Sequence, residues 1–273
     1  MTKLILDTDI GTDADDAMAL TYAVRSGMDL ALISTVHGNT RIRAAIAEKL
    51  CGLLGAAIPI AAGEGTPTKQ KFLYWTGLEG KEFLAPDEQF AGRTDGVEAI
   101  IETTRAHAGD VEIAAIGPLT NIAAAFARAP DLVGKVNHLY LMGNVIRCGD
   151  TYHLNYRAHN FKVDPEAADA VLALPVPKVL ITTEVSKQLP VTCAELDQLE
   201  RTGDAALQYL ARSARAWMQF INYDTAFLYD PLVLEHARNP SVTTRATYGS
   251  LQITTAVDPA FKGRFLNTVG GKP

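Results

Sequence analysis

The chain has 273 residues, 48% of them hydrophobic and 21% charged, which is enough apolar material for a well-formed core. Its formal net charge is −6 and no block of lysines and arginines could neutralise a phosphate backbone, so we expect no nucleic-acid partner. Because no stretch reaches the roughly 18 apolar residues that span a bilayer and the N-terminal apolar run is too short for a signal peptide, we expect a cytoplasmic protein with no membrane partner.

Short apolar runs alternate with helical patterns along the chain. In chain order, the predicted elements are KLIL (3–6), DDAMALTYAVRSG (15–27), DLALISTV (29–36), RIRAAIAEKLCGLLG (41–55), IPIAA (58–62), DGVEAIIETTRAHAG (95–109), VEIAAIG (111–117), PLTNIAAAFARAP (118–130), VNHLYLMG (136–143), DPEAADAVLAL (164–174) and VPKVLITT (176–183). Such alternation is typical of a mostly parallel sheet with helices on both faces. We therefore predict an α/β, Rossmann-like fold in one domain, residues 1–273.

Two segments interrupt this alternation. Residues 63–92 form a connection far longer than usual, with an aromatic centre at Phe72, Tyr74 and Trp75. This segment is either a mobile lid over the site or an Ω-loop packed on the surface. In residues 241–258, β-branched residues alternate with others, which predicts a small C-terminal hairpin.

The first predicted strand ends in the turn DTDIGTDADD (7–16), which places five aspartates within ten residues. Asp15 and Asp16 open a helix, where carboxylates are favourable. The other carboxylates would raise one another's pKa values unless a cation lay between them. This turn therefore predicts a cation site, with a solvated acidic loop as the alternative.

The residue types in this turn favour a hard cation. The turn has no histidine or cysteine, and Cys51, Cys148 and Cys193 show no paired spacing, so we expect neither zinc nor a disulfide framework. Ca²⁺ and Mg²⁺ both bind carboxylate, carbonyl and water oxygens, but Mg²⁺ usually works through substrate phosphates. Since the sequence has no phosphate-binding glycine loop, the turn favours Ca²⁺ over Mg²⁺.

Loops that follow the carboxyl ends of parallel strands form the binding crevice of such sheets. The acidic turn follows the first strand, residues 37–39 follow the second, and residues 117–121 and 143–144 follow two later strands. We therefore expect these segments to meet at one edge of the sheet, although they lie far apart in the sequence.

The segment DTDIGTDADDAMAL resembles the N-terminal signature of the inosine-uridine-type nucleoside hydrolases. Further segments similar to that family follow in order: VHGN (36–39), GPLTNIA (117–123), LMG (141–143), HNFKVDPEAA (159–168) and YDPLV (229–233). The resemblance covers most of the chain. It implies an α/β enzyme of nucleoside salvage that uses one Ca²⁺ to hydrolyse the N-glycosidic bond of a small-molecule ribonucleoside and that forms homodimers or homotetramers.

The resemblance also implies roles for individual residues. By motif, the cation would be held by Asp9, Asp16, the main-chain carbonyl of Thr120 and Asp230. Ca²⁺ would orient and acidify a water whose proton passes to Asp9, and the nearby anions would stabilise an oxocarbenium-like ribosyl cation. Asp7 would not bind the cation itself but would orient one of its ligands or a backbone amide.

The same motifs assign the ribose. Its 2′- and 3′-hydroxyls would lie at the cation with contacts from Asp15, Asn39 and Asn160, since an asparagine amide both donates and accepts hydrogen bonds. Asp13 lies in a two-residue extension of the signature, and we expect it to face solvent.

The sequence departs from the family pattern around the base and the 5′ end of the ribose. Tyr229 stands where well-studied members have a histidine associated with protonating the leaving base; a tyrosine is a weaker acid that can still donate a hydrogen bond or stack. Ala158 replaces a glutamate that would contact the ribose, with Asn155 or His159 as possible substitutes. Where the family usually has a glycine-asparagine pair, this chain has Gly149-Asp150, and Asp150 is a candidate substrate ligand.

Two alternatives to a ribonucleoside hydrolase remain open from the sequence. LILDTD is also similar to the motif of haloacid-dehalogenase-type phosphatases, with Asp7 as nucleophile, Asp9 as general acid and Mg²⁺ as cofactor, but that motif needs a threonine at Gly11. The other alternative is a nucleoside- or ribose-binding paralogue that kept the cation site and lost leaving-group activation, which Tyr229 and Ala158 motivate.

Overall fold

The computed structural model describes residues 2–69, 73, 77–81, 83–149 and 151–271. Its strands coincide with the apolar runs of the sequence and with several short segments between them. In chain order, the strands are β1 (Lys3–Thr8), β2 (Leu30–Thr35), β3 (Ile60–Ala62), β4 (Val111–Ala115), β5 (Val136–Gly143), β6 (Val145–Cys148), β7 (Thr151–Leu154), β8 (Lys178–Thr182), β9 (Pro190–Thr192), β10 (Thr225–Phe227), β11 (Thr243–Tyr248) and β12 (Leu251–Val257).

Eight of these strands form one sheet in the order β11-β12-β8-β5-β4-β1-β2-β3. Every neighbouring pair is parallel except β11 and β12, which are antiparallel. The mostly parallel sheet and the C-terminal hairpin are therefore confirmed. The hairpin extends the main sheet through β12, which pairs with β8. Two further antiparallel pairs, β6 with β7 and β9 with β10, were not predicted.

Helices connect most of the strands. In chain order, they are α1 (Asp15–Arg25), α2 (Thr40–Leu53), α3 (Gly96–Ala106), α4 (Thr120–Arg128), α5 (His159–Val163), α6 (Pro165–Leu172), α7 (Thr183–Ser186), α8 (Cys193–Arg201), α9 (Ala205–Ile221), α10 (Tyr229–Arg238) and α11 (Phe261–Val269). Two short 3-10 helices occupy residues 130–134 and 240–242. No helix in the described part of the chain is both long and apolar enough to cross a membrane.

The helices form a layer on each face of the sheet. Side chains of α1, α2, α8, α9, α10 and α11 pack on one face, and those of α3, α4, α5 and α6 pack on the other. Successive residues of β1 alternate between these layers, so Leu4 and Leu6 face one and Ile5 faces the other. Because both faces are covered, most residues of the central strands are apolar.

The strand order has a switch point at β1. The chain runs from β1 to β2 and β3 on one side and then returns to β4 on the other side. Loops that leave β1 and β4 therefore diverge at their carboxyl ends and open a crevice between them. This topology places the acidic turn after β1 next to residues that follow β4, as predicted.

The described parts of the long connection 63–92 pack against the body of the protein. Phe83 stacks on Tyr209 of α9 with ring centroids 3.7 Å apart, and Phe90 packs against α2. These contacts suit the Ω-loop alternative for this part, and the lid stays a prediction. Outside the described residues lie the three side chains predicted to form the aromatic centre, Phe72, Tyr74 and Trp75.

Gly143, the last residue of β5, is expected not to tolerate a side chain. A Cβ there would lie 2.8 Å from Cε1 of Phe161, in the short helix that also carries His159 and Asn160. Because over-packing a core costs about 1–3 kcal/mol, Gly143→Ala should lower the free energy of unfolding in urea by about that amount. A Cβ at Gly134 meets no atom within 4 Å, so an equal loss in Gly134→Ala would contradict this steric explanation.

Candidate functional site

A cavity of about 430 Å³ opens at the carboxyl ends of β1, β4, β5 and β8, within the size range of small-molecule sites. Carboxylates, an aromatic wall and a few cationic or polar side chains line it. The lining residues are Asp9, Thr12, Asp13, Asp15, Asp16, Ile116, Met142, Gly143, Arg157, Ala158, His159, Asn160, Thr183, Lys187, Trp217, Ile221, Tyr223, Thr225, Ala226, Phe227, Tyr229 and Asp230.

Three buried carboxylates, Asp15, Asp16 and Asp230, form a carboxylate trio in this cavity. One oxygen of each lies within 4.8 Å of the others. Asp15 and Asp16 lie in the first turn of α1, and Asp230 lies in the first turn of α10. Burial and the neighbouring carboxylates raise the pKa values of all three well above their usual range. A hard divalent cation would remove this penalty, so the donor set fits Ca²⁺.

Asp9 lies in the same cavity but outside the carboxylate trio. Its Oδ2 is 3.3 Å from Nε2 of His159. Burial raises the pKa of Asp9, but the hydrogen bond to His159 and the charges of His159 and Arg43 outweigh it and hold the pKa below its usual value. Asp9 therefore favours the ionised form, whereas the carboxylates of the trio favour the protonated form.

Asp7 lies behind Asp9 and is fully buried. Its Oδ1 accepts hydrogen bonds from Oγ of Ser34 at 2.6 Å and Nδ2 of Asn121 at 2.8 Å. Burial raises the pKa of Asp7 to about 7, against the lowering effect of these two donors. Asp7 thus joins β1 to β2 and α4 below the cavity, a position that suits the predicted support role.

Asn160, predicted to contact the ribose, lines the cavity. Its amide nitrogen donates to the backbone carbonyls of Ile116 at 2.6 Å and Met142 at 3.3 Å. Because these contacts occupy the amide protons, the side-chain oxygen is the atom that Asn160 can offer to a ligand. The predicted double role, donor and acceptor, is therefore reduced to that of an acceptor.

Two other predicted ligands do not line the cavity. Asn39 is exposed and caps α2, since its Oδ1 accepts from the backbone N–H of Ile42 at 3.1 Å. Thr120 begins α4, and its hydroxyl donates to Asp164 at 2.8 Å. Neither side chain therefore lines the cavity, and the ligand predicted at Thr120, its main-chain carbonyl, stays a prediction. Asp150 lies outside the described residues.

The position of Asp13 differs from the prediction. We expected it to face solvent, but it lines the cavity and accepts a hydrogen bond from the indole of Trp217. Burial raises its pKa to about 7. The two-residue extension of the acidic turn therefore adds a carboxylate to the site.

An aromatic wall faces the carboxylates and consists of Trp217, Tyr223, Phe227 and Tyr229. The rings of Phe227 and Tyr229 lie 5.5 Å apart at 43°. Burial, followed by the charges of Asp15 and Asp13, raises the pKa of Tyr229 above its usual value. Tyr229 therefore keeps its proton and can donate a hydrogen bond or stack.

The residues around Ala158 decide which side chain can replace the expected glutamate. Asn155 accepts a hydrogen bond from the backbone N–H of Arg157 at 3.1 Å and does not line the cavity. His159 lines the cavity and contacts Asp9. Of the two candidates, His159 is thus the one that reaches the site.

Sequence reasoning missed Arg43, which is fully buried in α2 behind the acidic turn. Its guanidinium donates to the backbone carbonyl of Asp9. The available signal was its helical spacing, because Arg43 shares one face of α2 with the buried Ile46 and Leu50. Three residues of the aromatic wall were also missed, because α9 and β10 were not predicted.

Among known proteins, nucleoside hydrolases are similar to this chain. A family model described as inosine-uridine preferring nucleoside hydrolase matches residues 4–266. The pyrimidine-specific ribonucleoside hydrolase RihB of Escherichia coli is 29% identical, over 99% of this chain and 90% of its own. The structure of a purine-preferring ribonucleoside hydrolase from Gardnerella vaginalis matches with a TM-score of 0.82 and 25% identity, over 98% of both chains. An inosine-uridine preferring nucleoside hydrolase from Bacillus anthracis matches with a TM-score of 0.78 and 17% identity, over 100% of both chains. These structures confirm the predicted fold class.

The raised pKa values predict a pH-dependent response to Ca²⁺. A carboxyl whose pKa is raised on folding stabilises the protein below its unfolded value of 3.8, and that stability is lost as the pH rises through the folded value, about 7 for Asp7 and Asp13. The cation-free protein should therefore lose stability between about pH 4 and pH 8. Since Ca²⁺ competes with protons for the carboxylates, it should raise Tm more at about pH 8 than at about pH 5.

Thermal unfolding with and without Ca²⁺ at both pH values measures this effect. Asp230→Asn should remove most of the Ca²⁺-dependent rise in Tm, whereas Asp87→Asn, at an exposed loop position, should keep it. A rise of the same size at both pH values in the unmodified protein would contradict the assignment of the carboxylate trio as the cation site.

Proposed function

Because this chain belongs to the inosine-uridine preferring nucleoside hydrolase family, we propose that it hydrolyses the N-glycosidic bond of ribonucleosides with Ca²⁺ at the carboxylate trio. The family and the enzyme class predicted from the motifs are confirmed by the match over residues 4–266 and by relatives named ribonucleoside hydrolases. The observation that most supports the finer proposal is that the carboxylate trio and the ionised Asp9 share one cavity. The phosphatase alternative has no support from this family.

The proposed cation ligands are Asp16 and Asp230, as the motifs imply, together with Asp15, which the motifs assign to the ribose hydroxyls but whose carboxylate lies within 4.8 Å of theirs. Asp9 and the main-chain carbonyl of Thr120 remain predicted ligands. When bound, Ca²⁺ supplies positive charge that orders the ribose hydroxyls and makes water easier to deprotonate. Burial and the neighbouring carboxylates raise the pKa values of the trio. The cationic groups of the protein therefore do not offset the negative charge that these carboxylates would carry when ionised.

Asp9 is the proposed base. It is ionised, so it can accept a proton from the attacking water, and His159 restrains its Oδ2. The carboxylates at the floor of the cavity stabilise the positive charge that develops on the ribose as the bond to the base breaks. Asn160 accepts a hydrogen bond from a ribose hydroxyl through its side-chain oxygen.

The aromatic wall is the proposed site of the base. Flat rings such as Trp217 and Phe227 suit stacking on a nucleobase, and Tyr229 can add a hydrogen bond to it. The relatives include one named pyrimidine-specific and one named purine-preferring, so uridine and inosine are both suitable first substrates. The cytoplasmic location, the role in salvage and the homodimer or homotetramer remain predictions of the sequence.

Asp9→Ala is expected to reduce ribose release from uridine and inosine by about 10²- to 10⁴-fold, because it removes the proton acceptor. A reducing-sugar assay with added Ca²⁺ measures this, and Asp87→Asn, which alters an exposed carboxylate outside the cavity, should match the unmodified protein. Saturable nucleoside binding without ribose release by the unmodified protein would support the binding paralogue and overturn the proposed hydrolase.

Substitutions at Tyr229 separate stacking from proton donation. Stacking of a base on an aromatic side chain contributes about 1–3 kcal/mol, so Tyr229→Ala should lower kcat/KM by roughly 5- to 150-fold. Tyr229→Phe keeps the ring and should stay within about threefold of the unmodified protein if stacking dominates. A larger loss in Tyr229→Phe would instead assign the main contribution to the hydroxyl.

A further inference from the structure

Arg43 uses the full hydrogen-bonding capacity of its guanidinium. A guanidinium has five N–H donors in a rigid, planar arrangement. Five acceptors surround them: Nε donates to the carbonyl of His37 at 2.7 Å, Nη1 donates to the carbonyls of Asp9 and of Ile10 (3.0 Å), and Nη2 donates to Oγ1 of Thr12 at 3.2 Å and Oε1 of Glu79 at 3.1 Å.

The ion pair between Arg43 and Glu79 is buried, with side-chain exposures of 0% and 4%. Taking two charges out of water costs several kcal/mol per ion unless their remaining donors and acceptors are satisfied. Here the other oxygen of Glu79 accepts from the backbone N–H of Gly77 at 2.6 Å. The pair is therefore satisfied, and it joins the segment 77–81 to the acidic turn.

From these contacts we infer that Arg43 is a positioning residue for Asp9 and that, through Glu79, it couples segment 77–81 to the acidic turn. This inference rests on the proposed function where it concerns catalysis by Asp9. How Arg43 holds the main chain of the turn does not depend on that function.

The main chain of Asp9 is contacted at both its carbonyl and its amide. Arg43 binds the carbonyls of Asp9 and Ile10. Gly117 lies against the amide, since a Cβ there would be 2.9 Å from the backbone nitrogen of Asp9. The close approach of Gly117 leaves the turn little room to shift, and Arg43 stops it from moving away. The position of the Asp9 carboxylate thus depends on both contacts.

Arg43 also holds the loop after β2. His37 has a φ of 71°, a conformation that few non-glycine residues adopt. Its carbonyl accepts from Nε of Arg43, and its ring lies 5.7 Å from the ring of His159, which contacts Asp9. One guanidinium therefore fixes the backbone of both loops that meet at Asp9.

Arg43→Lys tests the catalytic part of the inference. Lysine keeps the charge but has a single nitrogen, so it cannot reach all five acceptors. Since a displacement of about 1 Å can cost about 100-fold in rate, we expect kcat for nucleoside hydrolysis to fall by about that factor while KM changes by less than about threefold. Arg105→Lys is the matched control, because Arg105 forms an exposed ion pair with Asp131 at 2.9 Å.

Hydrogen-exchange mass spectrometry tests the coupling without any substrate. Glu79→Gln and Arg43→Lys should each speed amide exchange in residues 9–12 as well as in 77–81, and Arg105→Lys should change neither segment. Exchange that changes only in 77–81 for Glu79→Gln would overturn the coupling. A lower Tm with unchanged kcat and unchanged exchange in 9–12 for Arg43→Lys would overturn the positioning role. If the unmodified protein releases no ribose, the proposed function fails, but the exchange measurement still decides whether Arg43 holds the turn.

Discussion

Crowding of buried carboxylates at one edge of the sheet is the constraint on which the rest of the site depends. Carboxylates that lie together in a medium of low dielectric constant cannot all ionise without positive charge nearby. The fold supplies part of that charge through the N-terminal ends of α1 and α10, whose first turns carry the trio, and through Arg43 behind the turn. The negative charge that these groups leave unbalanced is the reason that a divalent cation fits the trio.

One residue type takes several roles because its surroundings differ from place to place. Asp7 receives two side-chain donors and lies below the cavity, whereas Asp9 has a histidine at one oxygen and a depressed pKa. The carboxylate trio has mainly other carboxylates as neighbours, so its members favour protons or a cation. A base and a cation site can therefore be built from aspartates a few residues apart, provided that different contacts hold each of them.

Features that depend on local sequence were predicted well, and features that depend on distant partners were not. Apart from β6, β7 and α5, the alternation of strands and helices up to β8 follows from periodicity, and the acidic turn stands out by composition alone. Arg43 looked like an ordinary helix residue, because its acceptors come from the turn after β1 and from Glu79. Asn39 looked like a ligand by motif, yet locally it is a helix cap. Tyr229 was predicted, but the rest of the aromatic wall was missed because no predicted element corresponded to α9, which carries Trp217, or to β10, which carries Phe227.

The first turn of α10 carries two functions on adjacent residues. Tyr229 belongs to the aromatic wall and Asp230 to the carboxylate trio, and their backbones share one peptide bond. A rotation or shift of this turn that adapts the wall to a larger or smaller base would therefore also move Asp230, a proposed cation ligand. On the proposed assignment, base preference and cation affinity are mechanically linked through this turn, whereas Trp217, Tyr223 and Phe227 reach the cavity from other parts of the chain and can change without moving Asp230.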